Sequence, residues 1–444
     1  MTATYWCEFA WLGGETVAEG VLIEVDGERI ASVEPGVTTP LPDAARLNGI
    51  TLPGLANTHS HAFQRALRGH THSDRGDFWT WRQAMYEVAS RLDPELYLAL
   101  GRATYGEMAL AGITCVGEFH YLHHGPGGTP YSDPNAMGRA MIQAAREAGI
   151  RITLLDACYL HGGIGEEVAG AQRRFGDGDA AAWAARVSEL EQDEGARLGA
   201  AIHSVRAVDP ASAALVAEWA AHGEVPLHGH VSEQPAENEA SLAAYGSTPT
   251  GVLAEAGAVG KRFTAVHCTH LADADFHVLG EAGATCCVCP TTERDLADGV
   301  AEAERLRSAG IELALGSDSH AVIDLFEEAR AVELDERLVR GKRGLNQATE
   351  LLRAATQDGH ASLGWAEAGR IEVGAIADLV TLRLDGPRLA GTRPATAVEA
   401  AVFAATAADV DRVVISGSDV VRDGAHVRLD VPAELDAAIG AALS

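Results

Sequence analysis

Positive charge is scarce in this sequence. Two lysines, Lys261 and Lys342, stand among 444 residues, and Lys plus Arg number 34 against 63 Asp plus Glu, for a formal net charge of −29. Nucleic acid and anionic membrane both require clustered cations, so neither is an expected partner. Long apolar runs are missing as well: no stretch of 18 apolar residues occurs, and the opening Met1–Trp6 lacks a basic segment ahead of an apolar one. A cytoplasmic protein that neither spans nor crosses a membrane is the expectation. Cysteine is sparse, seven in all, with Cys286, Cys287 and Cys289 crowded in a strand-like run. Reduced core thiols are favoured over a disulfide framework or a thiolate metal site.

What is present is ample apolar material, 47 % of the chain. The length suits two or three domains, or one large α/β barrel with an attachment. From about Ile50 to Leu345, short β-branched runs alternate with helical stretches, the pattern of βα units around a parallel sheet. Eight runs stand out: Gly49–Leu55, Ile113–Phe119, Ile152–Ala157, Leu198–His203, Val225–Val231, Phe263–His267, Ala284–Val288 and Ile311–Gly316. Asp93-Pro94, Asp133-Pro134 and Asp209-Pro210 each offer a capping Asp before a Pro at the first helical position. Leu325, Ala329 and Val332 give a later helix an apolar stripe. Outside this stretch, Gly20–Pro35, Ile371–Leu384 and Val413–Leu429 alternate and turn at glycine-containing pairs such as Asp26-Gly27 and Asp423-Gly424. The expected fold is an α/β (β/α)8 barrel over residues 51–365. A small β-sandwich domain is built from both chain ends, residues 1–50 and 366–444.

The polar residues gather where the strands end, the face on which such barrels carry their chemistry. The first ends in Asn57-Thr-His59-Ser-His61, whose alternate residues share one face of an extended chain. The fifth ends in His228-Gly-His230-Val-Ser-Glu233, the sixth in His267-Cys-Thr-His270, and the eighth in Gly316-Ser-Asp318-Ser-His320. One histidine alone is usually a satisfied core or surface residue; this many on successive strand ends is hard to read as structural. Neutral imidazoles plus a carboxylate hold a borderline divalent metal and leave a position for water. Asp318 is then placed to accept the proton of water, with Glu233 and His267 near enough to move protons and steady a tetrahedral intermediate.

His59-x-His61, His230 with Glu233, His267 and Asp318 together resemble the amidohydrolase superfamily, specifically its deaminase branch. The resemblance implies His59, His61, His230 and Asp318 as ligands of one divalent ion, Zn2+ foremost with Fe2+ or Mn2+ as alternatives. It further implies catalytic roles for Glu233, His267 and Asp318, and a homodimer. Two-metal branches bridge their ions through a carbamylated lysine on strand four; here that strand ends in His203-Ser-Val-Arg206 with no lysine near.

A closer likeness lies in Asn57-Thr-His-Ser-His-Ala-Phe-Gln-Arg65, Phe78-Trp-Thr-Trp-Arg82, Glu118-Phe-His-Tyr-Leu-His-His124, His203-Ser-Val-Arg-Ala-Val208 and Gly316-Ser-Asp-Ser-His320. These are similar to the formimidoylglutamate deiminases of histidine breakdown, which turn N-formimino-L-glutamate and water into N-formyl-L-glutamate and ammonia. The implied partner is a small molecule with two carboxylates and a formimino head. Gln64, Arg82, Tyr121, His203 and Arg206 supply suitable donors, guanidinium forks pairing with carboxylates bidentately. Blander roles stay open: Arg82 stacked on Trp79 or Trp81, Tyr121 and His120 capping strand two, His123-His124 in a surface loop, His320 orienting Asp318, Glu118 in a salt bridge. One departure stands in Cys289-Pro-Thr-Thr-Glu-Arg-Asp-Leu-Ala-Asp-Gly299, where many deaminases of this branch place Asn before the Leu.

Two competing functions remain in view. One is a deaminase of a nucleobase, nucleoside or other guanidino or formimino acid; the other is a catalytically dead barrel serving as a scaffold. The net charge opposes a doubly anionic ligand, weakly where salt screens over about 8 Å, so its recognition must be local.

Overall fold

The computed structural model describes residues 2–71 and 78–444. Sixteen strands among these residues form two eight-stranded sheets. In chain order they are β1 (Thr2–Ala10), β2 (Ala18–Asp26), β3 (Arg29–Glu34), β4 (Ala45–Pro53), β5 (Leu55–Ser60), β6 (Ile113–His120), β7 (Arg151–Cys158) and β8 (Ala196–Ile202). Then follow β9 (Leu227–Val231), β10 (Phe263–His267), β11 (Thr285–Val288), β12 (Glu312–Leu315), β13 (Leu379–Leu382), β14 (Val410–Ile415), β15 (Ser418–Arg422) and β16 (Ala425–His426).

β5 to β12 pair in sequence order, all parallel, with helices in the crossovers. The ring closes where the His61 N–H donates to Asp318 O (3.1 Å) and the Asp318 N–H donates to His59 O (3.0 Å). The expected (β/α)8 barrel is therefore present. Both chain ends build the second sheet, in the order β16-β15-β14-β13-β4-β1-β2-β3. It curls on itself, Ile30 N–H bonding Ala375 O (2.9 Å) and Ala377 N–H bonding Glu28 O (2.8 Å), around Tyr5, Cys7, Val21, Ile23, Leu47, Leu379 and Val414.

Local expectations hold with three corrections. Of Ile371–Leu384, only Leu379–Leu382 is a strand, with Ile376 in an isolated bridge to Arg29. The run Gly49–Leu55 is not one barrel strand: residues 49–53 close β4, and the barrel begins at Leu55. Periodicity identifies a strand but not the sheet it joins; the crossing occurs at Gly54, where a Cβ would lie 2.3 Å from Thr114 Oγ1 and 2.8 Å from Asp378 Cβ. Asp93 and Asp209 cap their helices, accepting from Leu96 N–H (2.8 Å) and from Ala211 and Ser212 N–H (3.1 Å each). Asp133 instead shapes a turn, taking Asn135 N–H (2.9 Å) and Arg139 Nε–H (3.0 Å), and the helix starts at Ala136. Leu325, Ala329 and Val332 are buried as the stripe requires, and all seven cysteines are buried and free.

One buried ion pair joins barrel to sheet. Arg151 on β7 meets Asp378, just ahead of β13, with Nη1 3.0 Å from Oδ1 and a second bond from Nη2 to Oδ2. Burial opposes ionisation of Asp378, but the guanidinium outweighs it and holds the carboxyl below its ordinary range. Asp156 stands likewise against Arg186. A carboxylate depressed in the folded state stabilises at pH above its unfolded value of about 3.9, and that contribution disappears as pH falls through the folded value. The urea midpoint is therefore expected to drop between about pH 5 and pH 3. Arg151→Met, which strands Asp378 uncompensated, is expected to cost about 3–5 kcal/mol at pH 7. A midpoint unchanged by either would contradict this reading.

Candidate metal centre and catalytic pocket

The hydrogen bonds that close the barrel also place its ligands. His59 and His61 leave β5 two residues apart, and Asp318 is bridged to Ser60 between them. Gly316 lets these segments approach, since a Cβ there would sit 2.8 Å from His59 Cβ and 2.9 Å from Cys289 Sγ. As a result Asp318 Oδ1 lies 3.3 Å from His59 Nε2 and 3.4 Å from His61 Nε2, and His230 Nε2 is 3.1 Å from His59 Nε2.

This set fits a divalent cation. His61 Nδ1 donates to Phe119 O (3.0 Å) and His230 Nδ1 to His203 O (2.7 Å), so both rings turn unprotonated Nε2 atoms toward the cluster. His59 Nδ1 is buried with no partner, and its Nε2 faces the same point. Burial, ahead of the neighbouring charges, pushes the pKa values of His59, His61 and His230 down, which keeps these rings in the neutral form that ligates metal. Converging nitrogen lone pairs repel unless a proton or a cation lies between them.

Beside the cluster, Glu233 and His267 complete a titratable group. His267 Nε2 is 3.9 Å from both Glu233 Oε1 and Asp318 Oδ2. Burial lowers the His267 pKa, but the hydrogen bond to Glu293 and the charges of Glu233 and Asp318 prevail, so it lies well above the usual histidine value. Burial raises that of Glu233, yet Arg206, whose Nη2 donates to Glu233 Oε2 (2.7 Å), holds it down. Left-handed backbone occurs at Ser232 (φ 52°), His267 (74°), Cys268 (56°), Asp318 (43°) and His320 (61°). Each such residue costs about 1–3 kcal/mol, and their gathering on one barrel face marks a functional site.

A cavity of about 240 Å³ opens onto the cluster. Its lining includes His61, His230, Glu233, His267 and Asp318 together with Gln64, Arg82, Tyr121, His203 and Arg206. Gln64 Nε2–H donates to Tyr121 Oη (3.0 Å), leaving its buried Oε1 without a protein partner. Arg82 Nη2 is 3.4 Å from Tyr159 Oη, and its guanidinium lies over the Tyr86 ring at 5.3 Å.

Residues 50–420 match the model of the amidohydrolase family. The chain belongs to that family. This amidohydrolase is 37 % identical over 424 residues to a formimidoylglutamate deiminase of Pseudomonas aeruginosa, an alignment spanning 93 % of this chain and 91 % of the relative. It is 29 % identical to an 8-oxoguanine deaminase of the same organism, over 94 % of this chain and 92 % of that one. Among solved structures, an amidohydrolase from Brucella melitensis superposes with a TM-score of 0.91 at 34 % identity, both chains covered in full. An adenosine deaminase from Xanthomonas campestris with bound zinc shares the fold, TM-score 0.84 at 24 % identity, over 99 % of this chain and 97 % of that one. The amidohydrolase is thus a hydrolytic enzyme, and among its described residues no helix is long and apolar enough to cross a membrane.

The eleven residues expected as metal ligands, catalysts or substrate donors converge here: His59 lies just behind the cavity wall and the other ten line it. Several blander readings resolve differently from expectation. His123 and His124 are not in a surface loop but buried, covered by the 170–177 segment through bonds of both N–H groups to Arg174 O and of His124 Nε2 to Asp177 (2.9 Å). In place of the expected salt bridge, Glu118 accepts from Ser60 Oγ (2.7 Å) and Ala62 N–H (2.8 Å), and burial pushes its pKa up to about 7. His320 braces Ser60 Oγ (3.1 Å) and Ser317 Oγ (2.9 Å), the residues flanking the ligands. Trp79, a stacking candidate for Arg82, has a side chain outside the described residues.

A second convergent set, His120, His123 and Asp156, is braced as core. Both Asp156 oxygens bond Arg186, one also takes Trp183 Nε1–H (3.0 Å), and His123 Nε2 bonds Ala157 O (2.9 Å). Sequence reading missed Tyr86, Tyr159 and Phe175 in the cavity wall and Glu293 behind His267. For Glu293 a signal existed: an acid in the strand-seven loop, on the active face of the barrel.

Proposed function

We propose that this amidohydrolase hydrolyses the formimino group of N-formimino-L-glutamate, releasing ammonia and N-formyl-L-glutamate, as a cytoplasmic homodimer serving histidine breakdown. The observation that carries the reading is the pairing of two guanidiniums, Arg82 and Arg206, with the His–Asp cluster in one cavity. The substrate offers the complement, an amidine at one end and two carboxylates at the other. His59, His61, His230 and Asp318 would hold one divalent ion, zinc foremost and iron or manganese acceptable to the same donors. Such an ion supplies Lewis acidity, lowering the pKa of water from 15.7 to about 7.

The chain's own residues do the rest. Asp318 turns Oδ1 to the cluster and Oδ2 toward His267, so Oδ2 is the oxygen free to accept a proton from the attacking water. His267 Nε2, between Asp318 and Glu233, stabilises charge developing on the carbon's new oxygen substituent. Glu233, held ionised by Arg206, relays to the departing nitrogen the proton that Asp318 takes from water; the nitrogen leaves as ammonia, and the carbon's new hydroxyl gives up its proton to become the carbonyl. Arg206 and Arg82 bind the carboxylates, with Gln64, Tyr121 and His203 fixing the substrate's orientation.

Dialysis against a chelator is expected to abolish ammonia release from N-formimino-L-glutamate, and Zn2+, Fe2+ or Mn2+ to restore it. Full activity in metal-free protein would contradict the proposal. The aromatic wall of Trp81, Tyr86, Tyr121, Tyr159 and Phe175 favours a second reading, stacking of a purine, consistent with the 8-oxoguanine deaminase relative.

A further inference from the structure

After β11 the chain reads Cys289-Pro-Thr-Thr-Glu293 and forms a short helix, Pro290–Asp295. Glu293 is 3 % exposed. A carboxylate buried so deeply costs several kcal/mol unless donors compensate. Two face it: Oε1 accepts the Cys289 N–H at 2.8 Å and lies 3.4 Å from His267 Nδ1. The loop is pinned from behind by Glu328, itself fully buried, which takes the Thr291 N–H (2.9 Å) and hydroxyl (2.5 Å).

We infer that Glu293 is the positioning residue of His267, accepting from Nδ1–H so that Nε2 is the nitrogen turned to the reacting atoms. The inference rests on the proposed deimination, in which His267 acts at the substrate carbon. Oε1 already accepts from Cys289, so it is an acceptor toward Nδ1–H also, which fixes the edge of the ring that carries Nε2 toward the reacting atoms. The opposite edge of the ring is where Glu233 and Asp318 stand, each 3.9 Å from Nε2. His267 and Cys268 have φ of 74° and 56°, a backbone that histidine and cysteine adopt only under constraint, so the ring needs side-chain support to keep its place. At 3.4 Å the contact exceeds the relaxed N–H···O distance of about 2.9–3.0 Å, as catalytic hydrogen bonds often do until substrate tightens them.

Two substitutions separate the parts of this role. Glu293→Gln keeps an acceptor oxygen and removes the charge; Glu293→Leu removes both at similar volume. In metal-loaded enzyme, kcat for N-formimino-L-glutamate is expected to fall about 10-fold with Gln and about 100-fold with Leu, the range seen when partners that orient active-site histidines are lost. KM should stay within about threefold. Long-range 15N–1H spectra of histidine-labelled enzyme should show a hydrogen-bonded His267 Nδ1–H in the wild type and in Glu293→Gln, and lose that hydrogen-bonded signal in Glu293→Leu. The spectrum needs no substrate: a wild type inactive on N-formimino-L-glutamate would overturn the proposed function while the spectrum still judges the pair. An unchanged hydrogen-bonded His267 Nδ1–H signal in Glu293→Leu, or wild-type kcat in Glu293→Gln should the Leu variant not fold, overturns the positioning role.

Discussion

Asp318→Asn is expected to lower kcat for ammonia release by about 10³-fold while leaving the barrel closed and most of the metal bound. A general base in position contributes roughly 10²–10⁴-fold, and an amide cannot accept the proton. The backbone supports the rest of the prediction. Asp318 closes the barrel through its own N–H and C=O, which the substitution keeps, and its φ of 43° is one that Asn tolerates better than most residues. His59, His61 and His230 remain as nitrogen donors. Steady-state kinetics with metal analysis on the same sample checks this; activity within tenfold of wild type would remove Asp318 from the proton path.

Arg206→Met should have the second largest effect, and a selective one. The Arg206 guanidinium borders the cavity and donates to Glu233 Oε2 at 2.7 Å, so Met removes a carboxylate-binding fork and strands a buried acid together. Truncating one partner of a buried, hydrogen-bonded charge pair costs about 2–5 kcal/mol, or roughly 30-fold to several thousand-fold in kcat/KM. A formimino compound without carboxylates should lose only the share due to Glu233. A purine substrate, which has no carboxylate to lose, should be affected no more than that. Equal losses for charged and uncharged substrates would take Arg206 out of recognition.

The strand-end chemistry was legible because it needs only local geometry. Alternate residues of a strand share a face, and parallel strands of a barrel end on one side, so His59, His61, His230, His267 and Asp318 had to meet if the barrel formed. Sheet membership was not legible: residues 49–53 carry the same β-branched texture as a barrel strand, and only pairing of Thr51 with Thr381 and of Ile50 with Leu382 assigns them to the other sheet. The aromatic wall was hidden for a similar reason, since Tyr86, Tyr159 and Phe175 come from three separated segments and share no motif. His123 and His124 look like loop residues until the distant 170–177 segment covers them. Glu293 needed the ring of His267 beside it to acquire a meaning.

Charge shows the same division between the whole and the site. A net charge of −29 describes the surface field, whereas Arg82 and Arg206 bring two guanidiniums into the cavity itself. The most direct measurement is product analysis in parallel incubations of metal-loaded enzyme with N-formimino-L-glutamate, S-adenosylhomocysteine and 8-oxoguanine. The geometry predicts equimolar N-formyl-L-glutamate and ammonia from the first, with kcat/KM at least a hundredfold above the other two. Rapid deamination of either purine compound, with N-formimino-L-glutamate left intact, would contradict it.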